Sequence, residues 1–88
     1  MPAPGRELRR HRRRRISTDA TILFADGVRL NCKVIDISEA GALILLRDEI
    51  DMPFDFRLEI GGGGVVRRTC YVVRQNGRKV GVRFPHRV

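Results

Sequence analysis

Turn signals recur at short, regular intervals along this chain and restrict it to short elements. Asp26-Gly27 and Asn76-Gly77 are two-residue hairpin signals, because glycine readily adopts the positive φ that tight hairpin turns require. Between the turns lie runs of aliphatic, β-branched and aromatic residues, several of which alternate with polar residues at a period of two. This pattern is typical of antiparallel β-structure. The predicted strands span residues 20–24, 28–34, 42–46, 54–60, 65–74 and 80–84.

Six short strands in a chain of 88 residues predict a single closed sheet. A chain of this size buries roughly 60–65% of its unfolded surface, which favours one core over two. An open sheet would leave two edges with unpaired backbone groups, so closure is favoured. We therefore expect an all-β fold, a six-stranded antiparallel β-barrel, without a long amphipathic helix. Within 54–60, the alternate residues from Phe54 to Ile60 are expected to face inward.

The positive charge is concentrated at the N-terminus. The net charge is +8, and residues 1–15 hold seven arginines against one glutamate. Residues 16–88 hold 11 basic and 9 acidic side chains. We interpret residues 1–15 as a flexible Arg-rich N-terminal arm that binds anions, and residues 16–88 as a nearly neutral β-barrel domain. The neighbouring arginines repel one another, so the arm is expected to stay mobile until anions are present.

The residues that usually carry catalysis are sparse in this sequence. His11 and His86 lie far apart, and no pair of acids has a suggestive spacing. Cys32 and Cys70 each lie in an apolar run, so we expect two buried, reduced thiols. No apolar run approaches the roughly 18 residues of a membrane-spanning helix. We expect a cytoplasmic protein that is not an enzyme and holds no metal or cofactor.

The segment between the second and third predicted strands is richer in polar groups than a tight turn needs. Asp36 and Ser38 are two residues apart, so on an extended chain their side chains point the same way. They either cap the bend or contact a ligand. Gly41 either adopts a backbone conformation closed to other residues or lets a ligand approach the backbone. We interpret this turn as one wall of a ligand site and the arm as the other.

Three short motifs occur along the chain in the order in which one known family carries them. Arg9-x-x-x-Arg13 precedes the first strand, residues 36–41 fit Asp/Asn-x-Ser-x-x-Gly, and Gly81-Val82-Arg83-Phe84 is a closing Gly-x-x-Phe. Together, on a six-stranded chain, they resemble the PilZ domain, a family of bacterial receptors for the second messenger cyclic di-GMP. The resemblance covers the chain from about residue 9 to residue 84.

The resemblance implies a ligand and a role for each motif. Guanidinium groups bind phosphate or the guanine edge in a bidentate way, which implies that two arginines four apart wrap cyclic di-GMP. Arg9/Arg13 and Arg10/Arg14 both have this spacing, so the register stays open. From the separated charge and the polar turn we further expect that the ligand bridges arm and turn, so that binding orders the arm and signals to a partner protein, and we expect a monomer. The predicted ligand-binding residues are Arg9, Arg10, Arg13, Arg14, Asp36, Ser38 and Gly41.

Two other functions are compatible with the same features. One is nucleic-acid binding by the basic arm, and the other is a degenerate PilZ-like domain that only contacts proteins. RNA-binding sheets expose aromatic rings for base stacking. This chain has only five aromatic residues, most of them in phase with the apolar residues of their strands, and it shows no zinc finger or recognition helix. The cyclic di-GMP receptor is therefore preferred to nucleic-acid binding.

Overall fold

The computed structural model describes residues 14–61 and 66–85, and these residues form a closed β-barrel. Around the barrel the strand order is β1-β2-β3-β6-β5-β4, and every neighbouring pair is antiparallel, including the β1–β4 pair that closes it. The prediction of an all-β, six-stranded antiparallel barrel is confirmed. The strands are β1 (Arg14–Leu23), β2 (Arg29–Ile37), β3 (Gly41–Leu46), β4 (Asp55–Ile60), β5 (Val66–Asn76) and β6 (Lys79–Arg83).

The two hairpin signals lie where the sequence predicts turns. Gly27 has φ +92° between β1 and β2, and Gly77 has φ +62° between β5 and β6. The Asp26 carboxylate accepts a hydrogen bond from the Val28 N–H at 3.0 Å, which fixes the first of these turns. Membrane-spanning helices of sufficient length and apolarity are absent from the two ranges that the structure covers.

Alternate residues of the strands fill the barrel. Ile22, Val34, Ile44, Leu58 and Val80 are completely buried, and one comes from each of five strands. Since side chains of a strand alternate between faces, the residues next to them project outward. This alternation tells which side chains lie on the outer surface near a given turn.

Phe54 does not join the core, so the prediction that it faces inward is wrong. Its side chain is 69% exposed, whereas Phe56 is 5% exposed. Strand β4 begins only at Asp55, and the Phe54 ring lies outside the barrel against Tyr71, with ring centroids 5.6 Å apart. The Phe54 carbonyl accepts a hydrogen bond from Val72 N–H at 2.8 Å, which holds this residue beside β5.

Gln75 anchors the connection between β3 and β4. Its Nε2 donates to the Ile50 carbonyl at 2.6 Å, and its Oε1 accepts from the Met52 N–H at 3.3 Å. Ile50 and Met52 pack against the buried core. One amide side chain on β5 therefore fixes a connection that has no regular secondary structure of its own.

Candidate ligand-binding site

The turn between β2 and β3 is built around Ser38. Its Oγ accepts hydrogen bonds from Ala40 N–H at 3.2 Å and Gly41 N–H at 3.3 Å. The Ser38 N–H donates to the Gly41 carbonyl at 2.8 Å. Ser38 therefore caps the bend, which is one of the two roles that its position in the sequence allows. Any contact with a ligand would come in addition to this one.

Gly41 is required by the close approach of a neighbouring strand. It has no positive φ, so the expectation of a backbone conformation closed to other residues is wrong. A Cβ atom at this position would lie 2.1 Å from the Val82 carbonyl oxygen. The Phe84 N–H also donates to the Ala40 carbonyl at 2.8 Å, so the turn lies directly against the end of β6.

Asp36 lies on the outer surface of the barrel. It is directly opposite Leu43 on β3 and Arg15 on β1, and directly opposed residues share a face of the sheet. Leu43 is next to the buried Ile44 and therefore projects outward, which places Asp36 outward as well. A bulge between Val34 and Asp36 precedes this position, and bulges re-aim the side chains that follow them.

The first described residues join the barrel beside this turn. Strand β1 begins at Arg14, which pairs with Ile37, and the next pair is Arg15 with Asp36. Both arginines are exposed, and their pairing in β1 places the start of the barrel two residues earlier than the boundary drawn from the sequence. The other predicted ligand-binding arginines, Arg9, Arg10 and Arg13, lie outside the described residues.

Comparison with known families agrees with the motifs. A protein-family model, described as the PilZ domain, matches residues 7–88. The chain belongs to the PilZ family. A search of the curated proteins finds no significant match. The PilZ match spans both the Arg-x-x-x-Arg segment and the Asp36–Gly41 turn, so the two predicted parts of the site lie within one domain.

A cationic and aromatic cluster flanks the turn of this PilZ domain, and sequence reasoning missed it. Arg83 pairs with Gly41 on one side and with Tyr71 on the other. The Arg83 guanidinium lies over the Tyr71 ring at 4.9 Å from its centroid, and Phe54 contacts the same ring. The flanking residues Val82 and Phe84 are buried, so Arg83 projects to the outer face. The alternation of residues in β6 predicts that Arg83 projects outward. That Tyr71 is its neighbour depends on the register between β5 and β6, which alternation does not give.

The outer surface next to Asp36 includes a glycine that an arginine side chain covers. Leu43, which shares a row with Asp36, pairs with Gly81 on β6, and Gly81 presents no side chain. The Arg74 side chain lies over this glycine, with its Cγ 3.5 Å from where a Cβ would stand. The Arg74 guanidinium group at this surface can stack on a planar base or bind phosphate.

The thiols of this PilZ domain are unsuited to nucleophilic chemistry. Cys32 and Cys70 are both free and buried, as predicted. Burial raises the pKa of Cys32 from 9.0 to about 11. Burial, together with the neighbouring Cys32, raises the pKa of Cys70 to about 12 against an opposing effect of Arg68. Both thiols are therefore neutral at physiological pH. Clusters of three or more metal-binding side chains do not occur among the residues that the structure describes.

Proposed function

We propose that this chain is a cyclic di-GMP receptor that binds the ligand between its Arg-rich arm and the Asp36–Gly41 turn. The observation that carries the proposal is the pairing of Arg14 with Ile37, because it anchors the arm one residue from the turn. An arm attached at the opposite end of the barrel would have to cross its whole length to reach Asp36. Membership of the PilZ family adds the ligand class.

The chemistry of the ligand matches the groups on both sides. Cyclic di-GMP carries two phosphates and two guanines. Arginine binds phosphate and the O6/N7 edge of guanine in a bidentate way, and it stacks on the base. The Asp36 carboxylate accepts hydrogen bonds and can take them from the N–H groups of guanine. Arg13 and Arg9, or Arg14 and Arg10, supply the guanidinium pair.

Ligand binding would change the state of the arm. A cationic segment that is disordered alone becomes ordered when an anion bridges it to a folded surface. The ordered arm then presents a new surface to a partner protein. The ligand can shift the arm from the disordered to the ordered state only as far as it binds the ordered state more tightly than the disordered one. The protein acts as a non-enzymatic adaptor in this mechanism.

An amide NMR titration of the full chain with cyclic di-GMP tests this proposal. Tens of micromolar ligand should shift the amide signals of Arg14, Arg15 and residues 36–41, with a defined stoichiometry. Unshifted signals at residues 36–41 would refute the receptor function and favour a degenerate domain. A nucleic-acid binder would instead bind an oligonucleotide with a steep salt dependence that is insensitive to the turn.

Variants separate charge from specific contact. Asp36→Asn and one of Arg13→Ala and Arg14→Ala, whichever belongs to the pair that is used, should each weaken cyclic di-GMP binding at least about tenfold, which corresponds to about 1.4 kcal/mol. Arg57→Ala, an exposed arginine of β4, is the matched control for loss of one positive charge and should leave binding unchanged. Equal losses for Arg13→Ala and Arg57→Ala would show that only total charge matters.

Ser38 needs a conservative replacement as well as a deletion. Ser38→Ala removes the cap of the turn and is expected to weaken binding whether or not the hydroxyl contacts the ligand. Ser38→Thr keeps the hydroxyl and should retain the turn. Comparing Arg13→Ala with Arg14→Ala in the same assay also settles which arginine pair is used.

A further inference from the structure

A second cationic site lies on the outer surface of the barrel, away from the Asp36–Gly41 turn. It is an open groove of about 890 Å³, lined by five basic and two acidic side chains. Asn31, one of its lining residues, lies six positions before Ile37 on β2, which is roughly 20 Å along the strand at about 3.3 Å per residue. Lys33 and Leu45 also line the groove and lie three and two positions from Asp36 and Leu43, so the groove begins roughly 7–10 Å along the strands from the proposed cyclic di-GMP site and extends away from it.

A buried carboxylate positions two arginines at one end of the groove. Glu59 is only 5% exposed although it lies on the outward side of β4, next to the buried Leu58. Its Oε1 pairs with Arg29 Nη2 at 2.8 Å, and its Oε2 pairs with Arg67 Nε at 2.9 Å. Each guanidinium carries five N–H donors, and one nitrogen of each bonds Glu59. The carboxylate therefore holds both guanidinium groups at the groove in fixed positions.

The other end of the groove is also cationic. Arg78 Nε donates to the Leu46 carbonyl at 3.1 Å, and the exposed Arg47 follows Leu46 in the chain. Leu46 on β3 and Glu59 on β4 are separated by three strand spacings, roughly 14 Å along the sheet at about 4.8 Å per spacing. Two groups of positive charge are thus separated by more than the size of a single phosphate or carboxylate.

Polar, non-aromatic groups lie between the two ends. Thr21 and Asn31 are directly opposed on β1 and β2, and Thr21 is also opposite Glu59. The Asn31 amide can both donate to and accept from a peptide group. None of the described lining residues is aromatic, so the groove lacks the rings on which single-stranded nucleic acids stack.

We propose that this groove binds an extended acidic segment of a partner protein. Three spacings are half of the way round the six-stranded barrel, so the peptide follows the curved outer surface, and five extended residues, roughly 16 Å, are long enough for that path. Acidic side chains near its ends pair with Arg29 and Arg67 on one side and with Arg47 and Arg78 on the other. Between them, Asn31 contacts the peptide backbone. The proposal is independent of cyclic di-GMP binding.

The test is an amide NMR titration of the full chain with a capped hexaglutamate peptide, with capped hexaglutamine as the uncharged comparison. Hexaglutamate should shift the amide signals of Thr21, Asn31 and Leu45. The double variant Arg47→Gln/Arg78→Gln removes two exposed charges at one end of the groove and should weaken this binding about tenfold. Arg57→Gln combined with Lys79→Gln removes the same charge outside the groove lining and should have little effect.

Four results would overturn the proposal. One is a set of shifts confined to Arg14, Arg15 and the Ser38–Gly41 turn, because the peptide would then bind at the arm and the turn instead of the groove. The second is equal binding of hexaglutamine, and the third is groove signals that stay fixed at millimolar hexaglutamate. The fourth is tighter binding of a six-nucleotide oligothymidylate at the same groove amides, which would assign the groove to nucleic acid. The cyclic di-GMP response of the groove variant is measured in parallel and should be unchanged.

Discussion

Replacing Gly41 with alanine is expected to destabilise the end of the barrel that carries the proposed ligand site. The new Cβ would stand 2.1 Å from the Val82 carbonyl oxygen and 3.1 Å from the Arg83 Cα, whereas ordinary contact begins at 3.4 Å. Both neighbouring atoms belong to the backbone of β6, so no side-chain rotation relieves the overlap. The first residue of β3 and the end of β6 must therefore move apart.

The size of the effect follows from what this movement disturbs. The Gly41 carbonyl accepts from Ser38 N–H, and the Ala40 carbonyl accepts from Phe84 N–H, both at 2.8 Å. Each such bond contributes about 0.5–1.5 kcal/mol net, and overpacking typically costs about 1–3 kcal/mol. We expect Gly41→Ala to lower the free energy of unfolding by about 2–4 kcal/mol. The whole stability of a chain this size is about 4–13 kcal/mol, at about 0.05–0.15 kcal/mol per residue.

Urea unfolding followed by far-ultraviolet circular dichroism measures this change. Gly81→Ala is the matched control, because Gly81 is also a β-strand glycine at the same end, and its nearest neighbour is Arg74 Cγ at 3.5 Å. It should change the free energy of unfolding by less than about 0.5 kcal/mol. A stability of Gly41→Ala within 0.5 kcal/mol of the parent, or an equal loss in Gly81→Ala, would refute the steric argument.

Two further predictions concern other parts of the barrel. Because burial raises the pKa of Cys32 to about 11 and of Cys70 to about 12, the folded state keeps protons that the unfolded state releases above pH 9.0. The urea midpoint should therefore fall as the pH rises from 9 towards 11. The fall should be smaller in Cys70→Ala, which keeps only one of the two thiols. A midpoint independent of pH in this range would contradict the prediction. Gln75→Ala removes the hydrogen bonds to Ile50, Met52 and Gly77 and should lower the free energy of unfolding in urea by about 2 kcal/mol. Gln75→Glu keeps the bond accepted from Met52 and loses the two donated bonds; no loss in Gln75→Ala would show that packing holds the connection.

The sequence predicts the elements of this fold better than their contacts. The turns at Gly27 and Gly77 are local, because a positive φ depends on the residue itself, and both were predicted. The exposure of Phe54 depends on where β4 begins, and period-two alternation alone extended that strand by one residue. The pairing of Tyr71 with Arg83 depends on the register between β5 and β6, which shifts at a bulge between Val72 and Arg74. Bulges leave only a weak signal in a single sequence.

The candidate site also has features that the sequence predicts and contacts that only the fold reveals. The polar residues of the Asp36–Gly41 turn mark its position, because a plain bend does not need both an acid and a hydroxyl. The requirement for Gly41 depends on the β6 backbone, which comes from the other end of the chain. The sequence could therefore indicate that a glycine was needed there without indicating why.

The charge of the folded domain shows why a net value conceals a binding surface. Residues 16–88 are nearly neutral, which led us to assign the basic character to the arm alone. In the barrel, arginines far apart in the sequence, such as Arg29 and Arg67, meet on Glu59, and most of the acids lie outside that groove. The pairing of strands thus creates a local excess of positive charge from a balanced composition. Under the two proposals, cyclic di-GMP and an acidic partner segment occupy neighbouring parts of the outer surface of the barrel.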